Sequence, residues 1–196
     1  MPRFTKRAIK AAFVRLLEKK PFDKITVKDI AQECGINRNS FYYHYEDISA
    51  LIKDILKGLA DAVFDENSRI ASMPEAERTV VAFVMKKKRA AYHLYNSSGR
   101  EIYEKQLMDV CRSAAGRVVD DACVGRNISA RDRDIMIRAY KDFIYGAVID
   151  WMESGMNYDI ISEFERFSKL TEGRVASMLD RAEALGSERD KSGSEG

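Results

Sequence analysis

The sequence predicts an all-α protein, with a small helix-turn-helix head at the N-terminal end and a larger helical body behind it. Three observations carry this. Prolines stand only at positions 2, 21 and 74, so nothing beyond residue 74 forbids a long run of helices. No stretch sustains two-residue alternation, and KITV (24–27) is too short to found a sheet. Apolar residues recur instead at three- and four-residue spacing.

The elements follow in chain order. Thr5 to Lys19 sets Ile9, Ala12, Phe13, Leu16 and Leu17 on one stripe, and Lys19 and Lys20 close the helix before Pro21. TVKD then opens a second helix as a capping box, with Thr26 as N-cap and Asp29 three residues on. Val27, Ile30, Ala31 and Cys34 give that helix one apolar face, and Gly35 follows where a left-handed residue is wanted. Asn37 is the N-cap of a third helix. Leu51, Ile52, Ile55 and Leu56 carry the chain into a fourth, longer helix. Further helices are expected from about Glu75 to Arg181, with breaks near 96–99, 125–129 and 155–157. The division expected is a helix-turn-helix domain over 1–48, a helical effector-binding and dimerisation domain over 49–184, and a disordered tail over 185–196 whose residues are small and polar.

Of the 196 residues 45% are apolar and 33% charged, a globular composition. The longest apolar run, VVAFVM (80–85), is far short of a membrane span, and residues 1–20 contain no long apolar block of a secretion signal. A cytoplasmic protein with no membrane partner is expected. Three widely spaced cysteines, none in a CxxC pair, argue for reduced thiols rather than disulfides or a zinc module. The net charge of +2 is unevenly placed: residues 1–57 hold 12 Lys and Arg against 7 Asp and Glu, the remainder 21 against 24. A basic N-terminal quarter suggests one end that faces a polyanion.

That end contains five consecutive rings, Phe41 to Tyr45. On a helix they separate into faces: Phe41 and Tyr45 point inward with Ile48, while Arg38, Asn39, Tyr42 and Tyr43 lie on the other side. In a helix-turn-helix the start of the second helix enters the major groove. Arginine pairs with guanine and asparagine with adenine there. Ser40, His44 and the tyrosine hydroxyls suit phosphate oxygens, which position the helix without reading sequence. Taken singly, each is also an ordinary surface or structural residue; the conjunction of two caps, a glycine turn and local basic charge points to DNA.

ITVKDIAQECGINRNSFYYHYEDISALI (25–52) resembles the DNA-binding signature of TetR-family transcription regulators, and the preceding helix fits as well. The resemblance implies an all-α homodimer, usually a repressor, whose C-terminal domain binds a small-molecule effector and which leaves a palindromic operator in response. It implies that Thr26 is a phosphate-contacting cap, with Lys28 and Asn37 beside the DNA, and that Arg38, Asn39 and Ser40 begin the recognition helix. Tyr42, Tyr43 and His44 become backbone or base-edge contacts. Ile48 departs from the lysine common in the family, which removes one phosphate contact unless Lys53 replaces it. Asn39 departs from the small residue often found there, so the operator sequence cannot be borrowed from a relative.

In the C-terminal region, Phe143 to Met152 is apolar almost all round, with Gly146 and Ala147 permitting close approach, so it is buried on more than one side. Residues 160–182 continue at helical spacing. A four-helix interface between two subunits would use Ala147, Met152, Phe164, Phe167, Val175, Met178 and Leu179; packing within one chain fits the pattern nearly as well. A palindromic site needs two reading heads, which favours the dimer. Tyr92, His93, Tyr95, Tyr103, Met108, Tyr140, Phe143 and Trp151 could line an effector cavity, and the same set fits ordinary core. The stretch FIYGAVIDWMESGM (143–156) loosely resembles a subgroup that includes activators working with a protein partner. KKKR (86–89) is expected on a solvated face or helix end. No GxSxG, GxGxxG, P-loop or HExxH motif is present, so an enzyme is not expected, nor any cofactor or metal.

Overall fold

The computed structural model describes residues 2–63, 70 and 72–193, with side chains described for residues 4–61, 70 and 72–185. Ten α-helices lie among them: α1 (Pro2–Lys19), α2 (Val27–Cys34), α3 (Arg38–His44), α4 (Ile48–Val63), α5 (Met73–Met85), α6 (Lys88–Tyr95), α7 (Arg100–Ala122), α8 (Ala130–Glu153), α9 (Ile160–Leu170) and α10 (Arg174–Gly193). A short 3-10 turn, Phe22–Lys24, joins α1 to α2. No helix among the described residues is long and apolar enough to cross a membrane.

The chain divides into two compact units, residues 1–66 with 82–107, and residues 67–81 with 108–196. The division at 48/49 drawn from the sequence separates roles, whereas compactness joins the head to α4, α6 and the start of α7. In the first unit Ile9, Phe13 and Leu17 of α1, Ile30 of α2, Phe41 of α3, and Leu51 and Ile52 of α4 are buried. They are the apolar faces read from the sequence. In the second unit Val119, Met136, Ile137 and Leu179 form a cluster against which Tyr140, Val175 and Met178 pack.

KKKR (86–89) is exposed and lies at helix ends, as expected: Lys86 and Lys87 form the turn between α5 and α6, Lys87 has a non-helical backbone, and its amine pairs with Glu18 at 2.8 Å. Two differences from the expected helices have local causes. The apolar series over 160–182 belongs to two helices, because the chain turns at Thr171 and takes a left-handed conformation at Gly173 (φ 78°). The tail expected to be disordered from 185 is helical as far as Gly193; Ala184, Leu185, Glu188, Arg189 and Lys191 are helix-favouring types that outweigh its small polar residues. Residues 194–196 lie outside the described ones.

Candidate nucleic-acid interface

The head is assembled by two helix caps and one turn. Thr26 Oγ1 accepts the Asp29 N–H at 3.2 Å, and the Asp29 carboxylate accepts the Thr26 N–H at 2.9 Å, which completes the capping box. The Thr26 N–H and hydroxyl, with Lys20, hold the Asp29 carboxyl below its ordinary range. Helix α2 ends at Gly35, whose φ of 72° is open to glycine and strained for other residues. The Ile36 N–H then reaches back to the Ala31 carbonyl at 3.0 Å, the closure of a helix by a left-handed residue. Asn37 Oδ1 accepts the Ser40 N–H at 2.8 Å and starts α3.

These caps divide the expected contact residues into two sets. The Thr26 hydroxyl donates to Asp29 Oδ2 at 2.9 Å and the Ser40 hydroxyl donates to Asn37 Oδ1 at 3.0 Å. Both hydroxyl protons are therefore used within the head. Arg38, Asn39, Tyr42 and Tyr43 are exposed, Tyr43 at 79%. Lys28 is exposed on the first turn of α2. His44 is half-buried, its ring edge-on to Tyr43 at 5.1 Å. Phe41 is fully buried and touches both Tyr42 and Tyr45 in ring contacts of 5.5 and 5.9 Å. The five-ring run thus resolves into two anchors and an outward aromatic face beside an arginine and an asparagine.

Sequence reasoning missed the groups that hold this face in place. Tyr45, the C-cap of α3, donates its hydroxyl to Asp54 Oδ2 of α4 at 2.7 Å. The same oxygen lies 2.9 Å from Lys10 Nζ and 3.2 Å from Lys6 Nζ, both on α1. Burial pushes the Asp54 carboxyl up, but the bonds from Lys10, Tyr45 and Lys6 outweigh it and bring it to about 2. The Tyr45 phenol is raised by burial and by the Asp54 carboxylate. One signal was available in the sequence. Two lysines one turn apart repel each other unless an acid from elsewhere sits between them.

The residues grouped as an effector set fall in both units. Tyr92, His93, Tyr95 and Tyr103 belong to the first unit, and Met108, Tyr140, Phe143 and Trp151 to the second. His93 Nδ1 lies 2.7 Å from the Leu17 carbonyl near the end of α1. Tyr95 is buried beneath the Arg100 guanidinium, 4.3 Å from its ring centre. Trp151 is buried and donates to the Tyr158 carbonyl at 2.9 Å. Tyr92 and Met108 are exposed, and Tyr140 packs partly buried against the second unit's core cluster. Tyr103 lines an apolar cavity of about 40 Å³ with Phe13, Leu17, Ile52, Leu56 and Leu94. Phe143 lines an open groove of about 680 Å³ on α8 and α9 with Gly146, Ala147, Tyr158 and Phe167.

The interface set divides as well. Met152, Phe164 and Leu179 are buried within the single chain, because the inner faces of α8, α9 and α10 consume them in the unit's own core; they cannot themselves be surface contacts. Val175 and Met178 pack partly buried against that core. Ala147 and Phe167 face the groove.

A capped helix, a left-handed glycine and a second capped helix carrying exposed arginine, asparagine and tyrosine side chains form a helix-turn-helix, the arrangement that places a helix in the DNA groove in proteins built on it. The comparisons give the family. Residues 9–55 match the family described as bacterial regulatory proteins, tetR family, and residues 71–173 match its transcriptional regulator C-terminal region. The chain belongs to the TetR family of transcriptional regulators, which are not enzymes. It is 32% identical over 77 residues to the uncharacterized HTH-type transcriptional regulator YxbF of Bacillus subtilis (strain 168), covering 37% of this chain and 20% of the relative. It is 39% identical over 70 residues to the HTH-type transcriptional regulator EthR of Mycolicibacterium smegmatis, covering 34% of this chain and 31% of the relative. The chain thus spans a third or less of the length of these curated relatives.

Two solved structures share the fold. The dihydroxyacetone kinase operon activator DhaS superposes with a TM-score of 0.70 at 15% identity, over 91% of this chain and 98% of that one. NalD, the secondary repressor of the MexAB-OprM multidrug efflux pump in Pseudomonas aeruginosa, superposes with a TM-score of 0.60 at 19% identity, over 86% and 95%.

Proposed function

We propose that the chain is a homodimeric repressor that leaves an inverted-repeat operator when its C-terminal region, within residues 49–184, takes up a small effector. The observation that supports the reading side is the outward face of α3. Arg38 and Asn39 open the helix with their side chains exposed, while Phe41 and Tyr45 fix its other side. In this reading Arg38 and Asn39 contact base edges, and Tyr42, Tyr43, His44 and Lys28 hold phosphates. Thr26 and Ser40 spend their hydroxyl protons within the head, so in this reading they and Asn37 serve by fixing the starts of α2 and α3.

The dimer half of the proposal rests on the groove over α8 and α9. Its floor is Gly146 and Ala147, and Phe143 stacks on Phe167 at 4.6 Å along its rim. On this side helix α8 offers Phe143, Gly146 and Ala147, with Asp150 also lining the groove, while its other side buries Ile144, Val148 and Trp151, so in this reading a second copy covers the small and aromatic residues. Sedimentation of the protein and of Gly146→Trp tests this; a dimer unaffected by the bulky residue places the interface elsewhere.

Selection of random duplexes by the purified protein tests the reading. An enriched inverted repeat is expected, and Arg38→Ala should cost about 1–3 kcal/mol at one base pair of each half-site. Tyr42→Ala should weaken all duplexes about equally. Unchanged binding by the Arg38→Ala, Tyr42→Ala double variant would show that α3 is not the reader. An activator acting with a protein partner is the second reading; DhaS, which shares the fold over nearly the whole chain, is itself an operon activator. Transcription from the selected site separates the two: deleting the regulator raises it for a repressor and lowers it for an activator.

A further inference from the structure

We propose that Asp54 is a positioning residue with two tasks: it fixes the roll of α3 through Tyr45, and it withholds Lys6 and Lys10 from DNA. The second task rests on the reading of α3 given above; the first stands on the protein alone.

A seven-residue helix such as α3 does not hold itself together in water and takes its orientation from what it packs on. Two side chains bury its inner side, Phe41 and Tyr45. Phe41 offers only apolar contact, which is indifferent to small rotations of the helix. The Tyr45 hydroxyl is different, because its 2.7 Å bond to Asp54 Oδ2 is directional and charge-assisted. It therefore sets how far Arg38, Asn39 and Tyr42 turn outward.

Asp54 Oδ2 is also the meeting point of Lys10 at 2.9 Å and Lys6 at 3.2 Å, and Lys10 donates a further bond to the Asp54 carbonyl at 3.3 Å. The Lys6 amine stands 5.3 Å from the centre of the Tyr45 ring, so this basic pair lies beside the C-terminal end of α3. One carboxylate thus ties α1, α3 and α4 together at a single atom. Without it, two cations next to the reader would be released to any phosphate within reach, whatever the sequence.

Three variants separate the two tasks. Tyr45→Phe removes the hydroxyl and leaves the lysines paired. Asp54→Asn keeps an acceptor for Tyr45 and removes the charge that holds the lysines. Asp54→Ala removes both. On the enriched duplex, Tyr45→Phe and Asp54→Ala should each lose about tenfold in affinity, the usual effect of deleting one hydrogen bond to a charged group. The slope of log K against log salt should steepen by about 1–2 in Asp54→Asn and Asp54→Ala, because freed lysines each release a counterion, and should not change in Tyr45→Phe. A residue that merely supported the fold would lower binding without steepening that slope.

Amide exchange without DNA tests the first task directly. The Tyr45 N–H, bonded to the Phe41 carbonyl at 3.0 Å, should exchange about tenfold faster in Tyr45→Phe and Asp54→Ala, with the amides of α2 unchanged. Wild-type exchange in α3 would overturn the positioning role, and an unchanged salt slope in both Asp54 variants would overturn the withholding role. If wild-type protein enriches no duplex while α3 loosens as expected, the DNA reading fails and the positioning role stands.

Discussion

Glu77 offers a test of how this protein stores electrostatic cost. It lies on α5 with 2% of its surface exposed, and no described group hydrogen-bonds its Oε2. Burial pushes its carboxyl from 4.5 up to about 7, with the neighbouring Arg78 charge opposing only in part. Below the unfolded value the group is protonated in both states and carries no ionisation cost. As pH rises from about 4.5 to about 7 the folded form keeps its proton while the unfolded form loses it, so stability falls. Above that window the folded protein carries a buried carboxylate, at a cost on the order of 3 kcal/mol for a shift of this size. Glu77→Gln keeps the shape and never ionises. Urea unfolding followed by far-UV circular dichroism at pH 5, 6.5 and 8 should show the two proteins within about 1 kcal/mol at pH 5, as expected for a near-isosteric neutral pair. The variant should gain by up to about 3 kcal/mol at pH 8. Every other titrating group is shared and cancels in the difference. A difference that does not grow between pH 5 and 8 would refute the reasoning, and so would a variant that is less stable at pH 8.

Two glycines fail for opposite reasons when replaced by alanine. At Gly35 there is open space but the backbone is left-handed, so Gly35→Ala should cost about 1–2 kcal/mol. At Gly99 a Cβ would run into the Leu94 side chain and press on Phe22, so Gly99→Ala should cost about 1–3 kcal/mol by overpacking. Thermal melts measure both, and a melting temperature within 1 °C of wild type, a small change on the expected scale of about 2–4 °C per kcal/mol, would contradict either. Asp54, whose carboxyl is brought from 3.8 to about 2, contributes stability above the unfolded value that is lost as pH falls from about 4 to about 2. Acid titration should show that loss in wild type and not in Asp54→Asn. His93→Ala, which deletes the bond to the Leu17 carbonyl, should cost about 1 kcal/mol; an unchanged melt would remove that bond from the account.

The head was legible because its signals are local. Thr26 and Asp29, Gly35, and Asn37 are caps and a turn whose geometry depends on a few neighbouring residues, and all appear in the structure as read. The inward side of α3 was legible from the four-residue spacing of Phe41 and Tyr45. What escaped depends on partners far along the chain. His93 meets Leu17 and Tyr45 meets Asp54 through packing that no period reveals. An aromatic stripe looks the same whether it lines a cavity or fills a core, so Tyr95, Trp151 and Phe164 could not be sorted from the sequence. The division of 160–182 into α9 and α10 was masked by apolar spacing that continues across the turn at Gly173.

The membership of residues 82–107 in the first compact unit bears on how such regulators can be recombined. Lys87 meets Glu18, His93 meets the Leu17 carbonyl, and Ser98 donates to the Asp23 carboxylate, so the far end of α1 and the turn after it are met by residues from the middle of the chain. A graft of residues 1–55 alone onto a different sensing body would import those acceptors without their donors. An exchange that carries 82–107 along with the reader keeps each donor with its acceptor. The structural unit that keeps the head's contacts intact is therefore discontinuous along the chain.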